Sequence, residues 1–422
     1  MTKYFLSILF IIFFSCKRDF EAPMPNTSWD LFESPATASL NSFTRQKMEG
    51  VYSVLLGEDL FGAATAAKWT YTANGNDTVY HLSLFCEKQA SYFILEGKRF
   101  ENSILLNGYW RKMQNTETGR ARFTISQING AGHLLSNAPF NGSDSIIIEG
   151  NFGNGENVPD QAIRLKYDRP LYKATPLEIV AHRGGGSTAD LLPASENSVE
   201  MIRLASGFGA TGIEIDVRLT SDGVPVLYHD ATLNERLIQK NGLLGPIENY
   251  SYAQLNTLVR LKNGERIPTL TQALETIVYQ TPLRYVWLDT KFEGSMEMLR
   301  NIQLEYQRKA AALGRTLEIT IGIPDDAVLK NFLELPGYQT IPSVCELDTE
   351  DVVKTNARIW APRWTLGLQN EEVQKMHAQG RRAFVWTLDI PANVYEFMQQ
   401  GAFDGILSNY PSIVAYYYYA KQ

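Results

Sequence analysis

The sequence predicts an α/β protein of two folded units in series: an all-β domain, either a sandwich or an up-and-down barrel, and then a parallel (β/α)8 barrel of the TIM type. Three observations predict this. Over residues 50–172, short strand-like runs follow one another between polar turns, with almost no helical periodicity. Beyond a connector at 167–176 that carries two prolines, eight apolar strand-like runs alternate with amphipathic helical segments. This second stretch, residues 177–422, has the length of such a barrel. A chain of 422 residues is too long for one ordinary core, and 44% hydrophobic with 20% charged residues is the composition of a folded chain. The formal net charge of −7 speaks against nucleic acid as a partner, because phosphate-backbone binding needs a basic surface. A small phosphate ester needs only a local cationic pocket and is not excluded.

The chain opens with Lys3 and an almost wholly apolar run over 5–14, followed by Ser15, Cys16 and the basic pair Lys17-Arg18. The run is shorter than the roughly 18 residues a spanning helix needs, so it reads as the hydrophobic region of a secretory signal. A cysteine after a small residue at its end resembles a bacterial lipoprotein cleavage site, although Phe13-Phe14-Ser15-Cys16 is looser than the common box. The expectation is a signal over 1–16, lipidation at Cys16, and an exported protein held to the cell envelope, most simply the outer membrane. Ordinary cleavage nearby and an uncleaved anchor are the alternatives. Residues 17–45, with Pro23, Pro25 and Pro35 among Asn, Ser and Thr, read as a tether.

In the β-rich domain, residues 46–172, strands are expected at 51–56, 67–73, 78–86, 90–95, 103–110, 121–128, 145–149 and 161–166. Gly75-Asn76-Asp77 is a hairpin signal. No catalytic constellation occurs here. Trp69, Tyr71, Tyr92, Tyr109 and Trp110 fit a core, or a cavity for a glycan or lipid. Cys86 and Cys345 fall in separate apolar runs and are expected as buried thiols, not a disulfide.

In the barrel, strands are expected at 179–182, 213–217, 285–289, 317–321, 339–344, 358–361, 383–387 and 405–407, with helices at 198–206, 270–278, 295–313, 325–333, 370–379 and 393–400. Chemistry on such a fold sits at the C-terminal ends of the strands, and the motifs fall there. The first strand ends in His182-Arg183-Gly184, a pair suited to binding and protonating an anion. The second contains Glu214-Ile215-Asp216, whose alternation puts both carboxylates on one face. Two carboxylates inside a barrel are costly unless paired or bound to a cation, and hard oxygen ligands favour Mg²⁺ or Ca²⁺ over zinc. After Asp222-Gly223 the run to Asp230 is too close for a parallel crossover, so it must fold back antiparallel. A turn centred on Asp222 pairs residues whose numbers sum to about 444, which returns His229 to the carboxylates. The third strand adds Asp289 and Lys291 on a shared face, and later strands bring Trp386 and Asn409 to the same end. His81, His133 and His377 have no such context.

The ordered series His182-Arg183-Gly184, Glu196-Asn197-Ser198, Glu214-x-Asp216, Asp222-Gly223, His229-Asp230, Arg266-Ile267-Pro268, Asp289-x-Lys291, Val385-Trp386-Thr387 and Asp404-Gly405-Ile406 resembles the glycerophosphodiester phosphodiesterase family. The resemblance covers about residues 178–411 and does not touch the β-rich domain. It implies a divalent metal, Ca²⁺ or Mg²⁺, on Glu214, Asp216 and Asp289. It implies His182 and His229 as the acid/base pair, Arg183 and Lys291 as phosphate contacts, and Glu196 and Asn197 as residues holding the first loop. Trp386 and Asn409 would border the substrate, a small glycerophosphodiester yielding sn-glycerol 3-phosphate and an alcohol. Three features depart from the family pattern: Asp289 in place of the usual Glu, Asn409 where an acid is common, and extra residues 187–192 after Gly184. The last motivates an alternative phosphodiester substrate, such as a phosphoinositol with a cyclic product. A binding lipoprotein with a decayed site is the reading from another class. Attack by a neighbouring glycerol hydroxyl and attack by water both remain open.

Overall fold

In a computed structural model, residues 24–75, 77–136 and 145–421 are described. Eight antiparallel strands form the N-terminal domain: β1 (Gly50–Leu56), β2 (Ala64–Asn74), β3 (Asp77–Cys86), β4 (Ser91–Phe100), β5 (Ser103–Lys112), β6 (Thr118–Ile125), β7 (Ile147–Phe152) and β8 (Gln161–Arg169). Each pairs with the next, and β8 returns to β1 with Leu165 opposite Val54, so the sheet closes on itself. Of the two architectures expected, this is the up-and-down barrel. The β2–β3 hairpin turns between Asn74 and Asp77, where Gly75 takes the positive φ (60°) that a tight hairpin turn requires.

Strand alternation gives the barrel two apolar faces. On β5, Ile104, Leu106 and Trp110 enter the barrel, whereas Tyr109 and Met113 face the second domain. Phe61, Phe93, Trp110 and Phe152 meet inside, with ring centroids 4.8 to 5.7 Å from that of Phe61, so the lumen is packed core. Of the aromatic residues singled out, Trp110 is buried in that core, Tyr92 and Tyr109 pack in the cluster shared by the two domains, and Trp69 and Tyr71 line a pocket. The tether expectation is corrected as well. Within residues 17–45, a helix at Asp30–Glu33 and a strand at Thr37–Ser39 pairing with β4 lie against the barrel, and a helix at Ser42–Met48 follows. Phe32, Leu40 and Met48 are the cause, since each buries its side chain. Cys16 lies outside the described residues.

The second domain is a closed parallel barrel: β9 (Glu178–Ala181), β10 (Gly212–Leu219), β11 (Tyr285–Thr290), β12 (Glu318–Ile323), β13 (Ser343–Cys345), β14 (Ile359–Trp360), β15 (Arg382–Val385) and β16 (Gly405–Ser408). Neighbours pair in chain order, and β16 pairs with β9 through Ile406 and Ile179. The antiparallel arm Pro225–Leu227 folds back on β10 with Val217 opposite Leu227 and Arg218 opposite Val226, in the register read from the turn. Val180, Tyr285, Trp287, Val344, Phe384 and Leu407 fill the axis.

Among the described residues of this domain, three α-helices escaped the periodicity reading. Tyr252–Leu258 and Thr349–Thr355 are short, and Pro411–Ala420 has no polar face because both of its sides are buried. The last is the seam of the molecule: it packs on β9 and β16 from one side and on β2 and β3 from the other. Tyr419 stacks on Phe85, Phe208 packs against Tyr92, and Ser83 Oγ donates to the Gly207 carbonyl at 2.8 Å. One continuous apolar cluster thus joins the two barrels. Cys86 and Cys345 are both free and buried, which raises their thiol pKa values, that of Cys345 to about 12.

Candidate active site

Strand alternation directs Glu214 and Asp216 inward at the C-terminal end of β10, where both are fully buried. The parallel register then sets Asp289 of β11 directly beside Asp216. One ligand oxygen from each of the three lies within 4.8 Å of the others. Each carboxylate spends one oxygen on the protein. Glu214 Oε2 accepts the Arg183 backbone N–H at 2.7 Å, Asp216 Oδ2 accepts Asn197 Nδ2 at 2.7 Å, and Asp289 Oδ2 meets Lys291 Nζ at 2.5 Å. The remaining oxygens, Glu214 Oε1, Asp216 Oδ1 and Asp289 Oδ1, are buried and accept no hydrogen bond, with Lys291 Nζ 3.5 Å from Asp216 Oδ1. Three orphaned hard oxygens in one place fit a divalent cation such as Ca²⁺ or Mg²⁺. The electrostatics agree: burial, then Asp216 and Asp289, push the Glu214 carboxyl well above its ordinary range. Burial and Asp216 also raise Asp289 against the pull of Lys291. Asp216 is held low despite its burial, because the cations Lys291 and Arg183 lie beside it and Asn197 donates to it.

His182 follows β9, with Nε2 at 3.8 Å from Glu214 Oε2 and Nδ1 at 2.8 Å from Asn409 Oδ1. Asn409 Nδ2 donates to Asp389 Oδ2 at 2.7 Å, which fixes the amide with its oxygen toward the imidazole. Nδ1 of His182 must therefore carry the proton, and Nε2 presents a lone pair to the carboxylates. Burial, then the Arg183 charge, lowers this imidazole to about 4, so it is neutral near pH 7. His229 arrives on the antiparallel arm. Its Nδ1 lies 2.8 Å from Asp230 Oδ1, and its Nε2 accepts from Arg183 Nη2 at 2.9 Å. Arg183 and Asn197 both sit at positive φ, 54° and 59°, held there by the bonds that bring them to Glu214 and Asp216.

The structure brings together the residues singled out in the barrel. Asn409 contacts His182 directly, in support of the site. Trp386 covers the inner apolar layer, its Nε1 donating to the Ala361 carbonyl at 2.8 Å and Arg363 lying 4.5 Å above its ring. Glu196, buried at the back, receives Arg183 Nη1 at 2.9 Å and the Thr188 N–H at 2.8 Å. Three residues were missed. Arg236 bridges Glu196 and Asp230. Asp389 orients Asn409 through both its side-chain amide and its backbone N–H. Glu346, directly after β13, is buried with Oε1 unpartnered, and its carboxyl is raised by burial and by Asp289. Its position at a strand's C-terminal end was the available signal. Of the histidines set aside, His377 is satisfied by Asp404 at 2.8 Å.

The glycerophosphoryl diester phosphodiesterase family model matches residues 182–332, the segment that carries both histidines and all three clustered carboxylates. Over that segment the C-terminal barrel is similar to this family. Glycerophosphodiester phosphodiesterase 1 of Rattus norvegicus is 33% identical over 184 residues, 41% of this chain and 52% of that protein. Its Homo sapiens counterpart is 40% identical over 135 residues, 31% of this chain and 39% of that protein. The chain thus spans about half the length, or less, of these relatives. Among solved structures, a glycerophosphodiester phosphodiesterase from Parabacteroides distasonis aligns with a TM-score of 0.46 at 24% identity, over 57% of this chain and 96% of that one. A phosphodiesterase of Oleispira antarctica in complex with the product sn-glycerol-3-phosphate aligns with a TM-score of 0.43 at 22% identity, over 57% and 95%. The family segment begins at His182, so the N-terminal barrel stands outside it.

Proposed function

We propose that the protein hydrolyses glycerophosphodiesters to an alcohol and sn-glycerol 3-phosphate, as a metal-dependent phosphodiesterase. The observation that carries this is the convergence of two imidazoles, Arg183 and three carboxylates with orphaned oxygens at one end of the barrel. Glu214, Asp216 and Asp289 would hold Ca²⁺ or Mg²⁺, which when bound offsets the charge growing on the phosphoryl oxygens. Arg183 and Lys291 bind the phosphate through their cationic heads.

The two imidazoles differ in what stands behind them. A neutral amide, Asn409, faces Nδ1 of His182, whereas a carboxylate, Asp230, faces Nδ1 of His229. The amide leaves His182 neutral and suited to take the proton of the nucleophile. His229, oriented through Nδ1 by the Asp230 carboxylate, stands on the other side to give a proton to the leaving alkoxide. Substrate phosphate would draw Arg183 off His229 Nε2 and free that nitrogen for its role. The nucleophile is a neighbouring glycerol hydroxyl, giving a cyclic phosphate opened by water, or water itself.

A second reading keeps the chemistry and changes the alcohol or the product, because the extra residues 187–192 stand beside the site, with Asp190 bound by the Tyr410 hydroxyl at 3.0 Å. Phosphorus NMR on a panel of glycerophosphodiesters and phosphoinositols, with Ca²⁺ or Mg²⁺, tests both. Glycerol 3-phosphate as the product supports the first reading, and an accumulating cyclic phosphate supports the second. No turnover of any compound would favour a binding protein. The proposal includes export and lipid anchoring at Cys16, with the folded part at the envelope surface. Loss of labelled fatty acid from a Cys16→Ala variant is expected, and unchanged labelling would remove that part.

A further inference from the structure

Arg111, on β5 of the N-terminal barrel, is one of the largest side chains in the molecule with no exposed surface. A buried guanidinium is retained only where it is bonded. It points out of its own barrel and donates through Nη2 to the carbonyl of Leu191, in the extra loop of the second barrel. Its neighbour Met113 is buried in the cluster shared with Leu192 and receives the Ser412 hydroxyl at 3.5 Å.

From Leu191 a continuous series of bonds runs to the site. Leu191 N–H bonds the Thr188 carbonyl at 3.2 Å, closing a single 3₁₀ turn. Thr188 N–H donates to Glu196 Oε2 at 2.8 Å, and Glu196 N–H returns to Thr188 Oγ1 at 3.3 Å. Glu196 Oε1 then holds Arg183 Nη1 at 2.9 Å, and Arg183 Nη2 meets His229. The C-terminal part of the loop is fastened within its own barrel, by Asn263 to the Leu192 carbonyl and by Glu265 to Ser195. The turn at 188–191 is held from its own barrel by Tyr410 on Asp190 and Glu196 on Thr188, and from the other domain by Arg111 on the Leu191 carbonyl.

We propose that Arg111 is a positioning residue for Arg183 and His229, acting through this turn, and that the N-terminal barrel is thereby a working part of the phosphodiesterase site. The residue lies outside the segment that the family shares. The inference rests on the proposed activity only for its catalytic readout, because the turn's order is measurable without substrate.

The test compares full-length wild type with Arg111→Met and Arg111→Lys. Amide hydrogen exchange over residues 186–197 is expected to accelerate in Arg111→Met while the strands of both barrels stay protected. In the same variant, kcat/KM should fall roughly tenfold through misplacement of the phosphate-binding cation. The inhibition constant of inorganic phosphate should rise in parallel, and Arg111→Lys should restore part of each. Unchanged exchange in the loop would overturn the proposal even if no substrate were turned over. Exchange rising equally throughout both barrels would overturn it too, because Arg111 would then be interface packing alone. Should Arg111→Met fail to fold, Thr188→Val cuts the series at its far side. That variant must loosen the same turn and lower kcat/KM, and if both stay at wild-type values the proposal falls.

Discussion

The two barrels of this chain are both closed and both apolar at the axis, yet among the described residues it is the second that gathers carboxylates and imidazoles at its end. In the N-terminal barrel, Phe61, Phe93, Trp110 and Phe152 fill the centre. In the C-terminal barrel, Tyr285, Trp287 and Phe384 fill it equally, but the layer above them is Glu214, Asp216, Asp289, His182 and His229. The difference follows from topology. Antiparallel strands reverse at every turn, so neighbouring strands end at opposite mouths and no mouth collects all the C-terminal ends. Parallel strands deliver eight C-terminal ends, with their longer connections, to one mouth, where backbone and loop side chains can hold a charged group that a core would reject. The outward face of the first barrel also meets a loop of the second, where Arg111 donates to the Leu191 carbonyl.

This contrast can be broken by mutation. The largest expected effect is at the mouth of the second barrel: His182→Ala or His229→Ala should lower kcat by roughly 10²- to 10⁴-fold with circular dichroism unchanged. Retained turnover in both variants would remove the acid/base assignment. In the first barrel the effect should be on stability instead. Phe61→Ala deletes a fully buried ring that touches three others and should cost about 3–5 kcal/mol in denaturant unfolding, with kcat of the folded protein unchanged. A smaller, catalytic loss is expected from Asn409→Leu. Without its acceptor, His182 is free to take the other tautomer, and kcat should drop by about ten- to a hundredfold with little change in melting temperature.

The subtlest test is the pH dependence of stability in the presence of EDTA. The folded protein holds the Glu214 proton well above the range in which the unfolded chain releases it, and Asp289 acts in the same direction. The unfolded state therefore binds fewer protons across that interval, and stability should fall as pH rises through and above the ordinary carboxylate range. A divalent cation should flatten this slope, and Glu214→Gln should reduce it. A slope of the opposite sign would show that the three carboxylates are already compensated.

What the sequence made legible was what a local period can carry. Alternation in Gly212–Leu219 placed Glu214 and Asp216 on one face, and the turn at Asp222 fixed the return of the arm that bears His229. The all-β pattern was legible too, but the choice between sandwich and closed barrel depended on β8 meeting β1 across more than a hundred residues of chain. The rest was hidden for related reasons. Pro411–Ala420 shows no amphipathic period because both domains bury it. Residues 17–45 read as a tether because their apolar anchors Phe32 and Leu40 are spaced among polar residues. Arg236 and Arg111 meet their partners only in the closed fold, and no spacing along the chain announces them, whereas Glu346 was signalled only by its place just after a strand.

The central claim is that the mouth of the second barrel is built around a cation, and turnover of protein stripped with EDTA tests it most directly. Stripped protein should release no glycerol 3-phosphate from a glycerophosphodiester, and Ca²⁺ or Mg²⁺ should restore release to wild type while Asp289→Asn recovers far less. Full turnover in EDTA, with no cation bound by calorimetry, would contradict the account.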